Sequence, residues 1–179
     1  MTLVRAELDR PVSPVLIQTD ASGSGFGVVY TTAVSPADLR KEVQRPRGTP
    51  PETSEAWVVE RALGAEFIAP VNPANYRVAA RGLFQGKARL AHINPKQLTA
   101  VVTGVRWAGR ASRTRRCRLV LQSDSSVVVS ALRKGRSSKP GLLSRMRRLA
   151  AITLAERITL VVRHVPTDRN MADAPSRSS

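Results

Sequence analysis

The sequence contains little cysteine and few aromatic residues, and both shortages exclude classes of protein. Its one cysteine, Cys117, rules out an internal disulfide framework and a zinc site built from several cysteines. Aromatic residues make up 4% of the chain and hydrophobic residues 42%, so the core must consist mainly of Val, Leu, Ile and Ala. Such a composition favours an α/β protein built around a sheet.

Long apolar runs are also missing. No segment reaches the ~20 apolar residues of a membrane-spanning helix, and residues 1–13 lack the apolar stretch of a secretory signal. We therefore expect an intracellular protein without a membrane partner. A chain of 179 residues is too short for two well-packed domains, so we interpret 1–179 as one domain with an N-terminal arm over 1–13.

Acidic residues are scarce relative to basic ones. The chain has 29 Lys and Arg against 13 Asp and Glu, and its formal net charge is +16. So large a charge repels itself unless a polyanion is nearby, which makes nucleic acid the first partner to expect. A membrane surface is less favoured, because no long basic amphipathic helix carries Trp or Phe anchors.

Apolar runs and turn residues indicate alternating strands and helices. Residues 14–20 predict a buried strand that ends on Asp20, and a glycine-rich turn then leads into a second strand over 26–30. Prolines break the periodicity over 33–81, which indicates an irregular insertion or extended segment with a short helix near 55–63. The later elements are one or two strands within 76–91, a helix opened by Pro95, a strand over 119–124, helices over 125–132 and 141–156, a strand over 158–162 and a helical turn over 168–176.

Three aspartates have similar positions in this pattern. Asp20 and Asp124 each close an apolar strand, and Asp173 lies in the terminal segment after another strand. Strand ends of this kind meet at one edge of an α/β sheet, where gathered carboxylates favour a pair of Mg²⁺ ions ~4 Å apart and phosphodiester cleavage. Taken singly, Asp20 is also a common turn former, Asp124 a helix N-cap and Asp173 a tail residue.

The aspartates stand inside local sequences that match a known family. These are Thr19-Asp20-Ala21-Ser22, His92-Ile93-Asn94, Gln122-Ser123-Asp124-Ser125, Arg163-His164-Val165-Pro166 and Ala172-Asp173-Ala174-Pro175. Together they resemble the ribonuclease H domain of retroelement reverse transcriptases, especially the tyrosine-recombinase (DIRS-like) group. The resemblance implies a mixed five-stranded sheet flanked by helices, interrupted by the irregular insertion after the second strand.

The same resemblance implies a metal site with one departure. In the family, three aspartates and a glutamate bind two metal ions, and the matching positions are Asp20, Asp124, Asp173 and residue 97, which here is glutamine. Gln97 keeps one coordinating oxygen but carries no charge, so we expect Mg²⁺ binding to be weak or absent; a residual single-metal site stays open. His92 and His164 indicate local packing, since two lone histidines make no zinc signature.

Two groups of basic residues predict a phosphate-binding surface beside these carboxylates. Arginine grips phosphates bidentately, and the alternative is a merely solvated face. Trp107 is either a base-stacking residue or part of the core rim. The residues are Arg106, Arg110, Arg113, Arg115, Arg116 and Arg118, followed by Arg133, Lys134, Arg136, Lys139, Arg145, Arg147 and Arg148.

Three functions are consistent with these features. The first is a catalytically degenerate ribonuclease H-like protein that holds structured RNA (rRNA) inside a ribonucleoprotein, such as a mitochondrial ribosome, together with other proteins of that assembly. The second is an active Mg²⁺-dependent ribonuclease H that cleaves the RNA strand of RNA/DNA hybrids and tolerates Gln97. The third is a DNA-binding accessory of transcription or integration. The sequence favours the first because of Gln97 and the net charge of +16.

Overall fold

Five strands form one mixed sheet in the part of the chain that the computed structural model describes, residues 10–45 and 72–177. In chain order they are β1 (Val12–Ala21), β2 (Gly25–Thr31), β3 (Arg77–Leu83), β4 (Arg118–Ser123) and β5 (Thr159–His164). Their order across the sheet is β3-β2-β1-β4-β5. Strand β2 is antiparallel to both its neighbours, whereas β1, β4 and β5 are parallel, which confirms the mixed five-stranded prediction.

Helices cover both faces of this sheet. The described residues contain α1 (Pro36–Gln44), α2 (Lys87–Leu90), α3 (Ile93–Gly109), α4 (Ser126–Lys134), α5 (Pro140–Ala155) and α6 (Asp173–Arg177). Helices α3, α4 and α5 pack on one face, and α1 packs on the other. Within residues 10–45 and 72–177, no helix combines the length and apolar character needed to cross a membrane.

Alternate strand residues supply two separate cores, because successive side chains of a strand point to opposite faces. On one face, Val15 and Ile17 of β1 pack with the apolar stripe of α3 that begins at Leu98. On the other face, Leu16 packs with Leu39 of α1. Burial on both faces explains why Val15, Leu16 and Ile17 are consecutive apolar residues rather than alternating with polar ones.

The described ends of the predicted insertion over 33–81 are regular: helix α1 was not predicted, whereas β3 lies within 76–91, where one or two strands were expected. Pro36 occupies the first turn of α1, where proline fits, and Ser35 caps that helix by accepting a hydrogen bond from the Asp38 backbone N–H at 3.1 Å. At the other end, β3 pairs with β2 as an edge strand of the sheet. The short helix expected near 55–63 lies outside the described residues.

The N-terminal boundary also shifts slightly. Strand β1 begins at Val12, so the last two residues of the expected arm belong to the sheet. Arg10, just before the strand, donates hydrogen bonds to the carbonyl of Arg157 and the hydroxyl of Thr159. The start of the described chain is therefore tied to β5 at the amino-terminal end of the parallel strands.

The C-terminal segment is fastened to the sheet by buried amides. Gln18 of β1 donates to Gln122 of β4 at 2.8 Å and accepts a hydrogen bond from the Met171 backbone N–H at 2.8 Å. Asn170 donates to the carbonyl of Thr19 at 3.2 Å. These contacts hold α6 directly over β2, where Gly25 and Gly27 present no side chain.

Substituting Gly27 by alanine tests this close approach. A Cβ there would lie 2.5 Å from the Ala172 carbonyl oxygen, which is backbone and cannot rotate away, so we expect a loss of about 1–3 kcal/mol in the free energy of unfolding. Urea denaturation followed by circular dichroism measures the change. Gly23→Ala is the matched control, because nothing lies within 4 Å of a Cβ at that glycine. Equal effects at both positions would contradict the packing described.

Candidate functional site

Asp20 and Asp124 lie side by side at the carboxyl-terminal edge of two neighbouring parallel strands. The last register pair between β1 and β4 is Thr19 with Ser123, and each aspartate is the residue that follows in its chain segment: Asp20 within β1 and Asp124 just after β4. Asp20 is buried, with 4% of its surface exposed. Oδ1 of Asp124 is also buried and has no hydrogen-bond partner among the described residues. Asp20 and Asp124 therefore lie together at one edge of the sheet, as the sequence predicted.

The side chain of Gln97 fills the position beside Asp20. Its Nε2 donates to Asp20 Oδ1 at 2.8 Å and to the carbonyl of Ala21 at 2.9 Å. Asp20 Oδ1 and the Ala21 carbonyl oxygen are both hydrogen-bond acceptors. The amide nitrogen of Gln97 can donate to them, whereas a carboxylate oxygen at the same place would be repelled. We call this pair of hydrogen bonds the amide bridge. It joins the first turns of α3 to the end of β1.

Ser176 occupies the second oxygen of Asp20. Its hydroxyl donates to Asp20 Oδ2 at 2.5 Å, and it also lies 2.8 Å from the carbonyl oxygen of Asp173. Both oxygens of Asp20 thus accept hydrogen bonds from the chain itself. No role was predicted for Ser176, because its hydrogen bond to Asp20 joins segments that lie 156 residues apart in the sequence.

The Asp173 carboxylate forms an ion pair with Arg177, one helical turn later. Its Oδ1 accepts from Arg177 Nε at 3.0 Å and lies 2.8 Å from the Arg177 Nη2 atom. In the described residues, no group of three or more His, Cys, Asp or Glu side chains is arranged to hold a metal ion. The three aspartates therefore do not form the expected metal-holding cluster, and Asp173 is paired with Arg177 instead. This donor set does not fit a pair of metal ions.

The neighbours of the site have structural roles. Lys96 is buried and donates to the carbonyls of Gly23 and Arg89, both at 2.6 Å, so its charge is directed to the β1–β2 turn and α2. His92 caps α3 by accepting from the Asn94 backbone N–H at 3.2 Å. His164 Nε2 lies 3.1 Å from the Asp124 carbonyl oxygen. Both histidines contact backbone, in agreement with the packing interpretation.

Solved ribonucleases H share this architecture. Ribonuclease H1 of the halophilic archaeon Halobacterium salinarum NRC-1 matches with a TM-score of 0.54 at 15% identity, over 90% of this chain and 92% of that one. The fold is ribonuclease H-like. LC11 ribonuclease H1, solved with an RNA/DNA hybrid, gives 0.53 at 15% identity over 90% and 92% of the two chains. The N-terminal ribonuclease H domain of a Mycobacterium tuberculosis protein gives 0.51 at 19% identity over 90% and 88%.

Sequence comparison adds no closer relative. No protein-family model matches the chain, and no curated protein gives a significant match. At identities below 20% the structural likeness establishes the fold alone. The function of this chain therefore depends on its own side chains and does not follow from the shared fold.

One of the two basic groups flanks the carboxylate edge. Helix α5 begins near this edge: its residue Gly141 lies next to Pro95 in the first turn of α3, where a Cβ on the glycine would be 3.5 Å from the proline ring. Between α4 and α5 lies a cavity of about 730 Å³, whose opening includes Ser126, two residues after Asp124. Cations and hydroxyls dominate its lining and no carboxylate contributes; the polar members are Ser126, Ser130, Lys134, Arg136, Ser137, Ser138 and Lys139. We call this cavity the α4–α5 groove.

The other basic group lies at the opposite edge, which corrects the prediction that both groups flank the carboxylates. Arg118 opens β4, whereas Asp124 follows its end, and Arg110 follows the end of α3, whereas Gln97 lies near its start. The pattern of arginines in the sequence could not reveal this separation. It follows from the direction in which β4 and α3 run.

Several of the predicted phosphate-binding arginines are engaged within the protein. Arg115 pairs with Glu156 at 2.8 Å, and Arg118 donates to the carbonyl of Arg10 at 2.9 Å. Arg145 donates to the hydroxyl of Thr99 at 2.8 Å. Arg133 lies 3.5 Å from the carbonyl of Val162. Their first role is to join elements, while Lys134, Arg136, Lys139, Arg147 and Arg148 are exposed.

Trp107 belongs to the rim of the core. Its ring centroid lies 4.6 Å from that of Tyr30, and it packs against the cluster between the sheet and α3. Of the two interpretations drawn from the sequence, the structure favours packing over base stacking.

The pH dependence of stability tests the environment of Asp124. Burial and, second, the charge of Asp20 raise the pKa of Asp124 from 3.8 to about 6. A raised pKa means that the folded protein holds the proton more tightly than the unfolded chain, so this contribution to stability is present at acid pH and is lost as pH rises through about 6. Asp124→Asn removes the titration. We expect the Tm of the variant minus that of the natural protein to increase between about pH 4 and pH 6.

Asp38→Asn provides a control of opposite sign. The hydrogen bond from Ser35 lowers the pKa of Asp38, so the natural protein gains stability as this carboxyl ionises and the variant does not. A Tm difference for Asp124→Asn that stays constant with pH would contradict the buried, charge-coupled environment.

Proposed function

We propose that this protein is a catalytically degenerate ribonuclease H-like domain that binds nucleic acid. The observation that carries the proposal is the amide bridge: Gln97 donates two hydrogen bonds exactly where the resemblance implies a metal-binding glutamate. A donor amide beside Asp20 replaces the attraction that a cation would supply. With Asp173 paired to Arg177, two carboxylates remain at the edge, too few for two-metal cleavage.

Binding is supported by charge and by shape. The net charge is +16, and the α4–α5 groove places three cations and four hydroxyls next to the carboxylate edge. Its volume of about 730 Å³ lies within the range of ~300–1,000 Å³ found for ligand sites. One of the structurally similar enzymes, LC11 ribonuclease H1, was solved with an RNA/DNA hybrid. Phosphates of a nucleic acid strand are the ligand that this lining favours.

The more specific part of the proposal concerns the assembly. We infer structured RNA within a ribonucleoprotein, such as a mitochondrial ribosome, as the setting in which a basic, non-cleaving domain of this fold would be retained. A location in the mitochondrion follows from that inference only. Kinship with the DIRS-like retroelement domain rests on the matched local sequences around Asp20, Asp124 and Asp173.

An active ribonuclease H is the second candidate, and one observation favours it. Gln97 Oε1 and Asp124 Oδ1 are buried oxygens without a hydrogen-bond partner among the described residues. Buried acceptors of this kind suit a hard cation such as Mg²⁺, which prefers oxygen ligands. A single ion held by these two side chains is the site this candidate requires.

Cleavage of a labelled RNA/DNA hybrid distinguishes the two candidates. We expect the natural protein to bind the hybrid and structured RNA with an affinity that falls steeply with salt, and to leave both uncut in Mg²⁺ or Mn²⁺. Gln97→Glu restores the missing carboxylate and tests whether its loss alone disabled the site. Cleavage by the natural protein that Asp124→Asn abolishes would establish the enzyme and overturn the proposal.

A further inference from the structure

The edge of the sheet opposite the carboxylates carries its own cluster of arginines. Helix α3 leads from the carboxylate edge to this opposite edge over 17 residues, which corresponds to about 25 Å at 1.5 Å per residue. The connection from α3 to β4 and the turn from α5 to β5 both lie here, since the Arg116 backbone N–H donates to the Glu156 carbonyl at 3.1 Å. We call the exposed cluster the far-edge surface; it consists of Arg106, Arg110, Arg113, Arg116 and Arg157.

Carboxylates do not neutralise this surface within the described part of the chain. None of its five arginines forms an ion pair with a described Asp or Glu. The acidic residue that lies there, Glu156, pairs with Arg115 at 2.8 Å. Exposed charges of one sign at one edge of the protein repel one another and attract anions.

The backbone also holds two of these arginines in an uncommon conformation. Arg116 and Arg157 have φ of 51° and 54°, and they are the non-glycine residues of the described chain with positive φ. Such a conformation costs of order 1 kcal/mol for a residue with a side chain, and glycine adopts it freely. Both turns of this edge therefore present an arginine where glycine would be easier to accommodate.

The composition of the surface indicates its ligand. Guanidinium groups bind phosphate oxygens bidentately, and the exposed charges at this edge outside the Arg115–Glu156 pair are arginines. Insertion into a membrane is not favoured, because Leu154 is the exposed large apolar residue at this end of α5 and no exposed aromatic residue accompanies it in the described chain. We propose that the far-edge surface is a second site for nucleic acid phosphates, separate from the α4–α5 groove, so that one protein bridges two nucleic acid segments.

This proposal extends the proposed function from one binding surface to two, and it does not depend on the loss of cleavage. The two surfaces lie toward opposite ends of α3, a helix about 25 Å long, and that length exceeds the screening length of about 10 Å at 0.1 M salt. The two sites should therefore bind with little mutual influence.

Stoichiometry and bridging test the proposal with the full chain. The probes are two copies of a short RNA hairpin, one with a donor dye and one with an acceptor dye. We expect the natural protein to bind two hairpins by sedimentation velocity and to bring the dyes together. The far-edge variant Arg106→Gln/Arg110→Gln/Arg113→Gln should bind one hairpin, give no energy transfer, and keep the affinity of the remaining site.

Two further variants complete the experiment. Lys134→Gln/Arg136→Gln/Lys139→Gln removes the charges of the α4–α5 groove and should leave the far-edge site alone. Arg40→Gln/Lys41→Gln/Arg77→Gln removes the same number of exposed charges elsewhere, and this variant should still bind two hairpins. The unfolding curves of all three variants should match that of the natural protein, which shows that a loss of RNA binding does not arise from misfolding.

The outcomes separate this proposal from the proposed function. If the natural protein binds one hairpin and only the groove variant loses it, the proposal of a second site is wrong and the proposed function stands. A single hairpin weakened by both variants would mean that one duplex spans both edges, which also overturns bridging. Absence of any RNA binding would contradict both proposals. Competition by poly-glutamate as effective as that by RNA would show that the far-edge ligand is an acidic protein instead.

Discussion

Repulsion between carboxylates at the ends of parallel strands is the constraint on which this structure depends. The sheet places Asp20 and Asp124 next to each other, with Asp20 buried and the pKa of Asp124 raised to about 6. Each buried charge needs a donor or a cation close by. In this protein the donors come from the chain itself: the Gln97 amide and the Ser176 hydroxyl satisfy both oxygens of Asp20.

The position of the C-terminal helix follows from that arrangement. Ser176 reaches Asp20 only because α6 lies directly on β2, and α6 lies there because Gly25 and Gly27 leave room and the Gln18 amide binds the backbone of Met171. Asp173 is then free to pair with Arg177 on the outer side of α6. A helix that would supply a metal ligand in the family pattern here supplies a hydroxyl donor.

Positive charge lies at both ends of the sheet. Cations line the α4–α5 groove beside Asp124, and a second set of arginines lies toward the far end of α3, a helix about 25 Å long. At the carboxylate edge Arg177 offsets the charge of Asp173, and hydrogen bonds from Gln97 and Ser176 stabilise the charge of Asp20. Electrostatic attraction to phosphates therefore acts from both ends of the sheet.

Much of this organisation follows from local sequence. The apolar runs that end on Asp20 and Asp124 predicted two central strands, and the stripe from Leu98 predicted α3, because burial on one or both faces leaves a periodic signal. Helix α1 was missed, since prolines break the periodicity around it, whereas β3 lies within 76–91, where one or two strands were predicted. The roles of Ser176, Lys96 and Gly27 depend on contacts between distant segments, and no local pattern encodes them.

The separation of the two basic groups was missed for a similar reason. Arginines on either side of β4 look adjacent in sequence, but a strand carries its two ends to opposite edges of the sheet. Placing Gln97 was possible from sequence because His92-Ile93-Asn94 fixes its register. The partners of the Gln97 amide could not be predicted in this way, because Asp20 and Ala21 precede Gln97 by more than 70 residues.

Thermal unfolding of Gln97→Glu in EDTA and in Mg²⁺ tests most directly whether an amide has replaced a cation at this edge. The substituted carboxylate would face two acceptors at the positions of the amide bridge, so we expect a loss of about 1–3 kcal/mol in EDTA, or ~2–4 °C in Tm per kcal/mol, and recovery when Mg²⁺ is added. The natural protein and the exposed control Gln85→Glu should unfold at the same temperature in both buffers. A natural protein stabilised by Mg²⁺, or a Gln97→Glu variant as stable as the control in EDTA, would contradict the account.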